Sequence, residues 1–135
     1  MKLLIDANIL LDVLQNRAGF VEDSSLVWKL CETGQAEGIV SARTFANLVY
    51  VMRKELGPEK IEEVCKLLSL IFHFADFSVS DMNRAAEMKW KDFEDAIQSA
   101  TAERVSAAYL ITRNVKDFSK SKVPALTPAE FLARL

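Results

Sequence analysis

Hydrophobic positions along this chain fall into two rhythms that alternate from one end to the other. Leu3, Leu4 and Ile5 form a short unbroken apolar run, and EGIVSA (37–42) and AYLIT (108–112) supply two more. Short apolar runs of this kind predict strands buried in a parallel sheet. Between them, apolar residues recur with helical spacing. ILLDVLQN (9–16) predicts a short amphipathic helix capped by Asn8, whose side chain can accept from a free backbone N–H. GFVEDSSLVWKLCETG (19–34) sets Val21, Leu26, Val27, Leu30 and Cys31 on one side of a second helix, with Gly34 as its stop. RTFANLVYVMRKELG (43–57) predicts a third helix closed by Gly57. Pro58 then opens a fourth over 58–74, where Ile61, Val64, Leu67, Leu68 and Ile71 share a face. ADFSVS (75–80) reads as a weak strand, and a Ser80/Asp81 cap begins a helix over 80–90. FEDAIQSATAERVSA (93–107) is a strong helix. KVPALTPAEFLARL (122–135) is a strand fragment followed by a helix opened by Thr127 and Pro128.

Strands alternating with helices predict one α/β domain over residues 1–135, with a parallel sheet covered on both faces. Ligands of such sheets bind beyond the carboxyl ends of the strands. The 135 residues suffice to bury roughly two-thirds of the unfolded surface in one core. With 50% hydrophobic and 27% charged residues, the composition is that of a globular rather than a disordered chain. No apolar run approaches the ~20 residues of a membrane span. Asp6 interrupts the first apolar run, and no cleavage pattern follows it, so the expected location is cytoplasmic without membrane contact. Cys31 and Cys65 have no Cys or His at metal spacing and read as small reduced hydrophobes. A net charge of −2 gives no global field for nucleic acid, so any such substrate must be held locally.

The candidate chemistry is acidic. Asp6 ends the first strand, where burying an uncompensated carboxylate costs several kcal/mol. Asp92, Glu94 and Asp95 crowd the first turn of the 93–107 helix, and Asp117 follows the AYLIT strand. Acids also stabilise the start of any helix, and Asp92 alone is an adequate cap. Asp117 can equally be a turn residue, and Asp12 reads most simply as a solvated position, either at the pocket rim or on plain surface. Carboxylates brought together at one sheet edge repel unless a cation sits among them. Oxygen ligands without a Cys/His set favour Mg²⁺ or Mn²⁺.

Together, LLIDANILLD, IVSARTFANLVYVMRK, DFEDAIQSATAE, LITRNVKDF and VPALTPAEFL resemble the PIN domain, in the branch grouped with VapC-type toxins of toxin–antitoxin operons. The motifs keep the family's order across nearly the whole chain. The resemblance implies a three-layer α/β/α fold with a central parallel sheet of four to five strands, and metal-dependent ribonuclease activity. By position it implies Asp6, Asp95 and Asp117 as catalytic ligands of Mg²⁺ or Mn²⁺. It makes Asn8, Thr112 and Asn114 their supports. Many members carry a Glu on the third helix where Asn47 stands here in TFANL. An amide oxygen can coordinate but adds no charge, so metal affinity should fall, and Asp92 or Glu94 is expected to restore part of that charge. An RNA substrate, a cognate antitoxin and a homodimer are also implied, with the second to fourth helices as candidate dimer surfaces.

Arg43, Lys91, Arg113 and Lys116 lie near these acids in sequence and are candidates to hold a phosphate backbone, with Lys89, Lys120 and Lys122 nearby. Trp90 and Tyr109 are expected to be buried rather than to stack on bases, and His73 to be structural. A response-regulator receiver is disfavoured because the middle strand ends in SART without an Asp. No GxGxxG or GxxxxGK[ST] marks a nucleotide site. The rival function is a catalytically weak PIN-like module that binds RNA or protein, which Asn47 favours.

Overall fold

Leu3, Leu4 and Ile5 are fully buried because their strand, β1 (Lys2–Ile5), forms the centre of the sheet. The computed structural model describes residues 1–135. After β1 come α1 (Ala7–Leu14), α2 (Val21–Glu32), β2 (Glu37–Ser41), α3 (Ala42–Val51) and α4 (Pro58–Ile71). Then follow β3 (His73–Ala75), α5 (Val79–Met88), α6 (Phe93–Arg104) and β4 (Tyr109–Ile111). A 3-10 turn (Val115–Phe118), β5 (Ala125–Leu126) and α7 (Pro128–Leu132) complete the chain. All five strands are parallel, in the order β3-β2-β1-β4-β5.

Successive side chains of a strand point to opposite faces. Leu3 and Ile5 accordingly join a core with α1, α2, α3, α4 and α7, whereas Leu4 packs on the other face with Ala102 of α6, Leu110 and Phe118. The three-layer α/β/α arrangement with a central parallel sheet is therefore present. Helix α6 is buried from Ala96 through Ala102. Its Ala and Ser residues allow that close an approach, and α5 closes over its outer side. The chain leaves β1 towards β2 and later returns to place β4 on the opposite side, pairing Ile5 with Ile111. The carboxyl ends of β1 and β4 are thus neighbours at a topological switch point.

Several local expectations shift. Helix α1 is capped by Asp6, whose Oδ1 accepts from the Ala7 N–H at 2.9 Å, and not by Asn8. The strand expected over 75–80 lies at His73–Ala75 instead. Ser78 accepts from the Asp81 N–H and Asp81 reaches back to Ser78, a capping box that draws residues 79–80 into α5. Helix α4 therefore stops at Ile71 rather than 74. His73 is exposed, its Nε2 3.7 Å from Glu37, so it has no structural role in the core. Helix α3 ends at Val51, short of Gly57. Cys31 is buried and Cys65 half-buried, and both are free.

Candidate functional site

Asp6 sits where β1 becomes α1, and its backbone N–H donates to the Ile111 carbonyl at 3.0 Å, tying it to the end of β4. Its two carboxylate oxygens have different duties. Oδ1 caps α1 and receives a long hydrogen bond from Gln98 Nε2 at 3.5 Å, while Oδ2 accepts from Thr112 Oγ1 at 2.8 Å. Thr112 Oγ1 in turn accepts from Asn114 N at 3.1 Å and Asn8 Nδ2 at 3.4 Å. A hydroxyl has one proton and two acceptor sites. With both acceptor sites used, the Thr112 proton is committed to Asp6. Burial pushes the Asp6 carboxyl above its usual range, opposed by the Thr112 and Ala7 hydrogen bonds, the charge of Arg43 and the Gln98 amide.

The start of α6 brings the second set of acids. Asp92 caps the helix by accepting from the Asp95 N–H at 3.1 Å, as its sequence context predicts. Asp95, half-buried, has its carboxyl pushed up to about 6, first by burial and then by the like charges of Asp92, Asp117, Asp6 and Glu94. One carboxylate feeling four others means that all five share one corner of the molecule. A cleft of about 640 Å³ opens there, lined by Asp92, Glu94, Asp95 and Asp117 with Lys91 and Lys120. No three His, Cys, Asp or Glu side chains stand close enough together to hold a metal ion between them. The donors are nevertheless all oxygens, and their mutual repulsion is the kind that a hard divalent cation relieves.

The family model described as PIN domain matches residues 2–116. The chain belongs to the PIN domain family. A search of curated proteins finds no match. Among solved structures, a toxin–antitoxin complex from Klebsiella pneumoniae is 26% identical, with a TM-score of 0.72 over 93% of this chain and 96% of that one. FitAcB from Neisseria gonorrhoeae is 20% identical, with a TM-score of 0.71 over 94% and 98% of the two chains. VapC20 of Mycobacterium tuberculosis, described as a toxin cleaving the sarcin–ricin loop, is 10% identical, with a TM-score of 0.63 over 80% and 86%.

In this PIN domain, Asp6, Asp95 and Asp117 occupy the same edge, as do Asp92 and Glu94. Thr112, Asn114 and Asn8 join the Asp6 network, and Asn8 Oδ1 also accepts from the Arg113 N–H at 3.3 Å. Arg43 lies alongside, its Nη1 3.8 Å from Glu94, and Lys91 lines the cleft. Lys116 is exposed on the 3-10 turn beside Asp117. Asn47 is one helical turn beyond Arg43 on α3, half-buried, with no side-chain hydrogen bond to any acid. Arg113 turns away from the cleft: its Nη2 is 3.2 Å from Asp12, and its guanidinium stacks 4.1 Å above the Phe20 ring centroid. Asp12, expected to be solvated, is fully buried because Ser24 donates to it at 3.0 Å and Arg113 neutralises it. Trp90 is half-buried against Phe118, and Tyr109 against Phe131. The residue that sequence reasoning missed is Gln98, buried within α6, whose amide joins Asp6 to Thr44 of α3. Its position one turn beyond Asp95, at i+3, is the signal that could have found it.

Proposed function

We propose that this PIN domain is a metal-dependent endoribonuclease acting in the cytoplasm, the toxin of a type II toxin–antitoxin pair. The observation that carries this reading is the convergence of carboxylates around Asp95 at the switch point of the sheet. Asp6, Asp95 and Asp117 would hold Mg²⁺ or Mn²⁺, which when bound supplies an activated water and stabilises charge at the attacked phosphodiester. Thr112, Asn8 and Asn114 fix the direction in which Asp6 presents Oδ2. Asp92 and Glu94 add negative charge beside the ligands where Asn47 adds none. Lys91 and Lys120 within the cleft, with Arg43 and Lys116 near it, hold the RNA backbone while one bond is attacked.

Support for the partners comes from the neighbours: a toxin–antitoxin complex, and a toxin that cleaves the sarcin–ricin loop. A homodimer is supported by exposed apolar residues on the second to fourth helices, namely Leu26, Tyr50, Val51, Leu67 and Leu70. No helix is long and apolar enough to cross a membrane. Induced expression tests the toxin reading: growth should stop with the wild-type chain and continue with Asp6→Asn. Arrest that survives this change would remove the acidic edge from the explanation. Asn47 favours a second reading, a weakly catalytic module that binds RNA or protein. For that module, wild-type and Asp6→Asn chains would bind RNA equally and cleave none.

A further inference from the structure

Asp12 is a fully buried carboxylate with no place in the chemistry above, and Arg113 was a substrate candidate that faces away from the cleft. Both belong to one assembly. Asn8 and Asp12 are four residues apart on α1 and therefore share a face one turn apart. Both grip the same residue: Asn8 Oδ1 holds the backbone N–H of Arg113, and Asp12 holds its guanidinium at 3.2 Å. Arg113 directly follows Thr112, the residue whose hydroxyl is committed to Asp6. Its side chain is 26% exposed and covered by the Phe20 ring. Ser24 of α2 and, at 3.9 Å, Arg17 complete the surroundings of Asp12.

The pairing is not optimised for stability. Neither Asp12 Oδ1 nor Arg113 Nε makes a hydrogen bond, and a cavity of about 260 Å³ adjoins them. Isolated buried ion pairs are often worth no more to folding than an apolar pair of the same size. What this pair does fix is the register of residues 112–114 against α1. We propose that Asp12 and Arg113 are positioning residues, a latch that holds the loop after β4 on α1 and so aims Thr112 and Asp6. The proposal rests on the reading of Asp6 as a metal ligand, but the latch itself can be tested without metal.

The test uses the full chain carrying Asp12→Asn and Arg113→Gln together, which removes both charges and leaves neither buried alone. Amide hydrogen exchange is measured in EDTA, and Mn²⁺ binding by titration calorimetry. The latch predicts that the Thr112–Asp117 amides exchange at least tenfold faster while core amides of β1 and α6 keep wild-type rates. It also predicts Mn²⁺ affinity weaker by about tenfold, as is usual when an outer partner of a metal ligand is lost. Unchanged exchange in the loop overturns the latch, as does acceleration equal to that of the core, which would make the pair a purely structural contact. Because that comparison is internal to one sample, it stands even where the variant is less stable. Asp6→Asn separates the two levels of inference. If it binds Mn²⁺ like wild type, the metal reading fails while the exchange result still decides the latch.

Discussion

Asp6 combines two functions that call for different substitutions. As the cap of α1 it needs only an acceptor, and Asn serves at that position about as well as Asp. The network, however, uses both oxygens, and Asp6→Asn sets an NH₂ against either the Ala7 N–H or the Thr112 hydroxyl proton. The change should cost about 1–3 kcal/mol and lose Mn²⁺ binding, as thermal melting with and without the ion will show. Thr112→Val keeps the volume but removes the donor to Asp6 Oδ2 and the acceptor for Asn8 and Asn114. It should cost about 1–3 kcal/mol in urea unfolding, the range for stranding a buried polar group. Asp95 gives a signed pH dependence. Its ordinary value is 3.8 and its folded value about 6, so the folded state holds the proton more tightly than the unfolded chain. The folded state then loses stability as pH rises from about 4 to about 6, and the loss persists above that window. In EDTA, Asp95→Asn should melt with wild type near pH 3.5 and a few degrees above it at pH 7.5, a modest gain because solvent screens the half-exposed carboxyl; coincident curves at both pH values would contradict the crowding of carboxylates. The acids were legible in the sequence because charge at a strand end or helix start is locally conspicuous. Gln98 and the Asp12–Arg113 pair were not. Gln98 lies 92 residues from Asp6, and no local pattern reports which polar side chain a fold will bury against another.

The elements that carry these residues have their own constraints. Gly38 on β2 is a close-approach glycine: a Cβ there would stand 2.5 Å from Phe72 Cδ1 and 2.7 Å from Cys31 Sγ. Gly38→Ala should cost about 1–3 kcal/mol through overpacking, read from the urea midpoint. Helix α6 is anchored at its far end, where Arg104 forks onto buried Asp81 at 2.8 and 3.0 Å, with Thr101 donating to the same carboxylate. Arg104→Met removes the counter-charge of that carboxylate but leaves its Thr101 and Ser78 hydrogen bonds. It should destabilise by about 2 kcal/mol in urea unfolding, less than for a fully buried pair because Arg104 is one-third exposed. Mn²⁺ affinity should stay near wild type, since the break lies at the opposite end of α6 from Asp95. Long periodic helices such as α2, α4 and α6 were readable because many positions agree. Strand β3 was misplaced because three residues offer no rhythm, and because the Ser78–Asp81 capping box outweighs the strand propensity of Val79.

At the scale of the molecule, the parallel order β3-β2-β1-β4-β5 makes residues from both ends of the chain meet at one edge. Alternation of strands and helices predicted such an edge, and the family match over residues 2–116 agrees with it. The outer face of the second to fourth helices is a separate matter. Leu70 of α4 is 86% exposed and Tyr50 of α3 66% exposed, and the proposed dimer would cover both. Light scattering should give twice the chain mass for wild type and the single-chain mass for a Leu70→Glu, Tyr50→Glu variant; a monomeric wild type would contradict the dimer. Cutting of RNA at the acidic edge with a divalent ion, the proposed function, is tested most directly by gel-resolved cleavage of a structured RNA by purified protein with Mn²⁺, run beside EDTA and Asp6→Asn controls. Discrete fragments in the first lane and intact RNA in both controls are the predicted result. Intact RNA in every lane, or fragments that persist with Asp6→Asn, would contradict it.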